Sequence, residues 1–90
     1  MSVEEHIRPW GSYQILFDGS TCKVKKLRVL PGKRLSLQSH SHRSEHWVIV
    51  AGDSCIVTVG NDNLILHKNQ HVFIPREVKH RITNDGNVPI

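Results

Sequence analysis

Apolar and polar positions along the chain alternate in short runs of about five residues, closed again and again by Gly, Pro, Asn and Asp. No stretch of useful length carries the period of a helix. Tyr13 to Phe17 reads as a first strand ended by Asp18-Gly19, and Cys22 to Leu30 as a longer second one ended by Pro31-Gly32. Val24, Leu27 and Val29 share one face only if the strand slips at Lys25-Lys26, which predicts a bulge there. Leu35 to His40 alternates cleanly, with Leu35 and Leu37 on one side and Ser36, Gln38 and His40 on the other. Further strands are predicted over 46–50, 54–59, 64–67, 71–75 and 78–83, with turn chemistry at Gly52, Gly60-Asn61-Asp62-Asn63, Lys68-Asn69-Gln70, Arg76-Glu77 and Asn84-Asp85-Gly86-Asn87. Val88-Pro89-Ile90 reads as the start of one more. Eight or so strands with no helix to cover them must bury their apolar faces on each other, which predicts an all-β barrel or two-sheet jelly roll. The mouth of such a barrel is a natural pocket.

At 90 residues there is room for one domain, here 1–90 with a polar leader over 1–7 and the barrel over 8–90. Hydrophobic residues at 38% and charged residues at 22% exclude a disordered chain, and no apolar run is long enough to span a membrane as a helix. Cys22 and Cys55 have no C-x-x-C spacing, and the first residues lack a signal-peptide pattern, so both read as reduced thiols of a cytoplasmic protein. A formal charge of +4 favours an anionic partner. Nucleic acid is disfavoured, because neither a basic helix nor aromatic residues interleaved with basic ones are present.

Seven histidines are a surplus for this length, and several crowd into Gln38-Ser39-His40-Ser41-His42-Arg43-Ser44-Glu45-His46-Trp47. Strand residues two apart share a face, so Gln38 and His40 project together, and a loop could return Glu45 to the same point. Imidazole nitrogen with carboxylate oxygen suits Zn²⁺, Fe²⁺, Mn²⁺ or Ni²⁺, and the lack of nearby thiols argues against a structural zinc finger. A further ligand has to come from a distant strand, where His80 is best placed. The plainer reading is a set of solvated surface histidines, and it suits His6, His67 and His71, the last at the rim. His42 and His46 lie close enough in sequence to line such a site.

These residues carry a family resemblance. Gly32, Gln38, His40, Glu45 and Gly52 fall at the spacing of the first cupin motif, G-x5-H-x-H-x3-4-E-x6-G, with Gln in place of its first His. Asn69, Pro75, Glu77, His80 and Asn84 fall at the spacing of the second, G-x5-P-x-G-x2-H-x3-N, with both glycines replaced, so that Glu77 must fit a turn usually made by Gly. Arg8-Pro9-Trp10-Gly11-Ser12-Tyr13, Leu35-Ser36-Leu37-Gln38, Glu45-His46-Trp47 and Lys79-His80-Arg81 resemble more specifically the C-terminal domain of type II phosphomannose isomerases, often fused behind a mannose-1-phosphate guanylyltransferase. The resemblance implies a cupin-type double-stranded β-helix whose last strand lies beyond Ile90, an exposed sheet edge, and a homodimer.

It also implies metal-dependent interconversion of mannose 6-phosphate and fructose 6-phosphate, if the full domain is present. Gln38, His40, Glu45 and His80 would then hold a divalent metal, Zn²⁺ first, with Fe, Mn, Ni or Co as alternatives. Arg43 would meet substrate or transition-state charge, His42 is the candidate base, and Lys79, Arg81 and Trp47 are candidates for binding the phosphorylated sugar. Two other classes stay open: a noncatalytic metal or sugar-phosphate binding cupin, and an iron-dependent cupin oxygenase, which Gln38 disfavours. Guanylyltransferase chemistry is excluded for this chain, which has neither the length nor a Gly-rich phosphate loop.

Overall fold

In the computed structural model, which describes residues 4–90, the chain is all β. Eight strands run in the order β1 (Glu5–Arg8), β2 (Gly11–Asp18), β3 (Lys23–Val29), β4 (Glu45–Val48), β5 (Ser54–Val59), β6 (Asp62–His67), β7 (His71–Ile74) and β8 (His80–Thr83). They form three antiparallel sheets, ordered β1-β2-β3, β4-β7 and β6-β5-β8. Residues 5–7, expected as leader, instead pair with β2 from Glu5 opposite Gln14 to Ile7 opposite Ser12.

Alternation along β5 and β8 builds the interior. Cys55 and Val57 are fully buried, and Ile82 meets Val57 across the pair. Val29, Ile49 and Leu66 complete this core, with Trp10, Leu35, Trp47, Val59, Val72 and Ile90 packed against it. Because side chains two apart on a strand share a face, the inward face that buries Ile82 also buries His80. That face carries an imidazole to the inner end of the barrel.

Two irregularities differ from the sequence pattern. The slip expected at Lys25-Lys26 falls on the opposite strand: Ile15 pairs with Lys25 and Phe17 with Val24, leaving Leu16 as the extra residue. A period-2 reading of one strand detects the slip but cannot assign it to a strand. The expected strand at 35–40 is an extended segment held to β8 by two isolated bridges, Arg34 to Thr83 and Gln38 to His80. One more residue lies between the bridges on this side than on β8, so the ladder cannot close, and Leu37, expected on the same face as Leu35, is exposed where Leu35 is half-buried.

Backbone and side-chain bonds tie the far end together. Ile90 and Val29 exchange both backbone hydrogen bonds. The wholly buried Asn84 donates through Nδ2 to the carbonyls of Val29 and Val88 and accepts from the Gly86 N–H at Oδ1. Asn69 and Glu77 hold left-handed backbones, at φ 75° and 71°.

Candidate metal centre and cavity

His40, Glu45 and His80 come from three separate segments and converge. Glu45 opens β4, where Trp47 shares its inward face, and the Trp47 indole N–H donates to Glu45 Oε1 at 3.0 Å. His80 opens β8, and its backbone exchanges two hydrogen bonds with Gln38. His40 sits in the intervening loop, where its carbonyl accepts from the Glu77 N–H at 2.7 Å. Glu45 Oε2 lies 3.2 Å from His40 Nε2 and 3.2 Å from His80 Nε2, and one potential ligand atom from each of the three residues lies within 4.8 Å of the others.

The protons locate the lone pairs. His80 Nδ1 is 3.0 Å from the Val78 carbonyl, an acceptor only, so Nδ1 carries hydrogen and it is Nε2 that presents the lone pair whenever the ring is neutral. Arg43 Nη2 is 2.9 Å from His40 Nε2, and a guanidinium only donates, so that nitrogen too presents a lone pair. Glu45 Oε2 is buried without a hydrogen-bond partner. Glu45 Oε2 and the lone pair of a neutral His80 therefore face each other with no hydrogen between them, which is costly unless a cation or a shared proton lies there, while the His40 lone pair is engaged by Arg43, with which an incoming cation would compete.

Charge follows the same geometry. Burial lowers the pKa of His40, and the Arg43 cation lowers it further, with smaller contributions from His80 and Lys25; the opposing pull of Glu45 does not cancel them. Burial alone would raise the pKa of Glu45, but the Trp47 hydrogen bond, with His80, Arg43 and His40, holds it below the ordinary carboxylate range. Near neutral pH this favours a neutral His40 beside an ionised Glu45.

The cluster opens into a cavity of about 270 Å³, lined also by Gln38, Arg43, Trp47 and Arg81. On that geometry the comparison with known proteins is direct. The profile of the family described as "Mannose-6-phosphate isomerase C-terminal" matches residues 2–90. The chain belongs to the mannose-6-phosphate isomerase C-terminal family. Among its relatives, the xanthan biosynthesis protein XanB of Xanthomonas campestris pv. campestris is 46% identical over 83 residues, 92% of this chain and 18% of that protein. The mannose-1-phosphate guanylyltransferase of Escherichia coli is 42% identical over 86 residues, 96% of this chain and 18% of that protein. The chain thus spans less than a fifth of the length of these curated relatives. A cupin 2 conserved barrel domain protein from Rhodopseudomonas palustris superposes with a TM-score of 0.73 at 22% identity, over 87% of this chain and 54% of that one. The fold is therefore of the cupin type, as the motif spacing implies.

Within this cupin domain the residues singled out by sequence divide. Gln38, Arg43, Trp47 and Arg81 line the cavity with the three converging groups. The Gln38 side chain donates to Ser36 Oγ at 2.9 Å, from a position two residues before His40. His42 and Lys79 are exposed and do not line the cavity. His46 faces outward, where its Nε2 lies 2.9 Å from Nδ1 of His71 across the β4-β7 sheet. Among the cavity residues that escaped the sequence reading of the site are Arg8, Tyr13 and Lys25. Tyr13 stands on β2 opposite His6 on one side and Leu27 on the other, so Arg8 on β1 and Lys25 on β3 are its two diagonal neighbours. Only the register of all three strands brings them together. Among the described residues no helix is long and apolar enough to cross a membrane.

Proposed function

We propose that this domain interconverts mannose 6-phosphate and fructose 6-phosphate, with His40, Glu45 and His80 holding a divalent metal and Gln38 offering an amide oxygen as a further ligand. The observation that carries this reading is the buried Glu45 Oε2 with no hydrogen-bond partner, facing two imidazole nitrogens 3.2 Å away. Two donors about 2.1 Å from one tetrahedral ion lie roughly 3.4 Å apart, so the donor set fits such an ion with little movement. Nitrogen and oxygen donors without thiolate suit Zn²⁺ and its first-row neighbours. When bound, such a metal supplies Lewis acidity to carbonyl and hydroxyl oxygens, which an aldose-ketose isomerisation requires.

Trp47 orients the Glu45 carboxylate through Oε1, and the Val78 carbonyl fixes the His80 tautomer, both being supports one step removed from the ligands. Arg43, 53% exposed at its side chain, reaches from the solvent edge to Glu45 and His40, where it can meet negative charge on a substrate oxygen. Arg81 presents a second cation to the same cavity.

The test is a coupled assay of mannose 6-phosphate turnover with added Zn²⁺, Mn²⁺ or Co²⁺, run on the longest gene product that carries the domain. Turnover that requires metal and disappears in His80→Ala is expected; a metal-loaded protein that leaves mannose 6-phosphate unchanged overturns the reading. One observation favours a noncatalytic sugar-phosphate binding module instead. Beyond the three converging groups, no imidazole or carboxylate among the described residues lines the cavity to serve as a separate base. Binding of mannose 6-phosphate without turnover is the result that selects it.

A further inference from the structure

We propose that Arg8 and Lys25, gathered on the ring of Tyr13, form an anion subsite that takes the phosphate of the sugar phosphate, apart from the metal-ligand cluster; this assignment rests on the reading of the cavity as a sugar-phosphate site. Arg8 Cζ lies 5.1 Å and Lys25 Nζ 5.2 Å from the centre of the Tyr13 ring. The Tyr13 hydroxyl is 3.2 Å from Arg8 Nη2, and the His6 ring stacks on the Tyr13 ring with centroids 4.7 Å apart. Two like charges are thus brought to one aromatic ring, where they repel each other except as the π face and an incoming anion offset the repulsion.

Counter-charge narrows the cations free for a ligand to Arg8, Lys25 and Arg81 among those lining the cavity. Lys23, two residues before Lys25, pairs with Asp18 at 3.8 Å, and Arg43 leans on Glu45 at 3.6 Å. Arg8 and Lys25 have no carboxylate partner among the described residues, although Arg8 also donates to the Ile7 carbonyl. Both line the same cavity as the cluster.

The shape of the substrate class explains the separation. In an open-chain hexose 6-phosphate the reacting carbons C1 and C2 and the phosphate lie at opposite ends of the chain. One cavity must therefore hold a Lewis-acid end and a cationic end that do not coincide. Arg43 sits among the ligands, Arg81 follows the ligand His80 directly, and Lys79 is exposed and does not line the cavity. The β1-β2-β3 sheet supplies the remaining wall, and the two cations it gives to the cavity, Arg8 and Lys25, match the two charges of a phosphate monoester near neutral pH. A guanidinium and an ammonium serve as a fork and a point charge, a usual pairing for phosphate.

The experiment titrates inorganic phosphate into the 90-residue chain and into Arg8→Gln, Lys25→Gln and Arg81→Gln, following backbone amide shifts, with Zn²⁺ affinity measured on each. Arg8→Gln and Lys25→Gln are expected to weaken phosphate binding about tenfold each, the loss of one charge-assisted contact, while Zn²⁺ affinity stays within about threefold of the parent and free-protein amide shifts change only around the substituted residue and Tyr13. Arg81→Gln is expected to leave the phosphate affinity within a factor of about three. Unchanged affinity in both Arg8→Gln and Lys25→Gln, or a loss confined to Arg81→Gln, overturns the proposal. Mannose 6-phosphate turnover separates the two readings: phosphate binding that depends on Arg8 and Lys25 without any turnover keeps the subsite and removes the isomerase. Turnover with an unchanged KM in Arg8→Gln and Lys25→Gln keeps the isomerase and removes the subsite.

Discussion

Trp47→Phe isolates the one hydrogen bond that aims the Glu45 carboxylate. Phenylalanine keeps an aromatic wall edge-on to His80, whose ring centre lies 5.5 Å from that of Trp47, but it cannot donate to Glu45 Oε1. A 3.0 Å bond from a neutral N–H to an ionised, partly buried carboxylate contributes about 2 kcal/mol. If that bond mainly holds Oε2 toward the two imidazoles, its loss appears as metal affinity weakened about thirtyfold, inside the range typical for supports one step removed from a ligand. The pH dependence has a definite sign. Because the indole bond helps keep the Glu45 pKa below the ordinary carboxylate value, its removal lets that pKa rise, and protons then compete with metal at higher pH. Calorimetric titration with Zn²⁺ between pH 5 and 7.5 reads both effects, and circular dichroism confirms that the variant is folded. A Trp47→Phe protein that binds Zn²⁺ within twofold of the parent, with the same pH midpoint, would refute the role given to the indole.

Asn84→Asp, nearly identical in volume, sets a carboxylate oxygen against the two carbonyls that Asn84 Nδ2 now serves at 2.9 and 2.8 Å. Leaving a buried charge without a partner costs about 3 kcal/mol or more, so thermal melting at pH 7 should fall by roughly 15 °C for a domain of this size, and a loss under 3 °C would contradict the account. Burial raises the Cys55 thiol to about 11, whereas Cys22 is exposed, so a thiol reagent at pH 8 should modify Cys22 alone until the chain is unfolded. Since the folded thiol holds its proton above the unfolded value, stability should be fully present below about pH 9 and decline as pH rises towards 11, a trend that Cys55→Ala should lack in chemical denaturation.

Much of this architecture is legible in one sequence because alternation and turn residues are local signals. Ser54 to Val59 forms the strand its pattern predicts, between turns at Gly52 and Gly60. That His40 and Glu45 lie near each other has a local cause as well, since only a short loop of fixed length separates them. Even Glu77 is informative, since a non-glycine residue at a glycine position of the second cupin motif takes the left-handed backbone that glycine would, as does Asn69. What sequence conceals is whatever depends on register between strands. Leu16 is the bulged residue only because of how β2 meets β3, and the 35–40 segment breaks because its count does not match that of β8. Arg8 and Lys25 were invisible as a pair for the same reason, being neighbours only across Tyr13. Exposure of His42 and Lys79 likewise depends on how loops leave the barrel, which no periodicity records.

The bridge between Gln38 and His80 also has a kinetic meaning. It closes a loop that contains β4 to β7, while the β5-β6 hairpin needs only the tight turn at Gly60-Asn61. Local pairings can form early, whereas a contact that spans half the chain must wait until the loop entropy is offset by the sheets on either side. His80 is therefore expected to reach His40 and Glu45 after the β5-β6 hairpin has formed. Perturbations at this meeting point should change how fast the native state opens far more than how fast it forms.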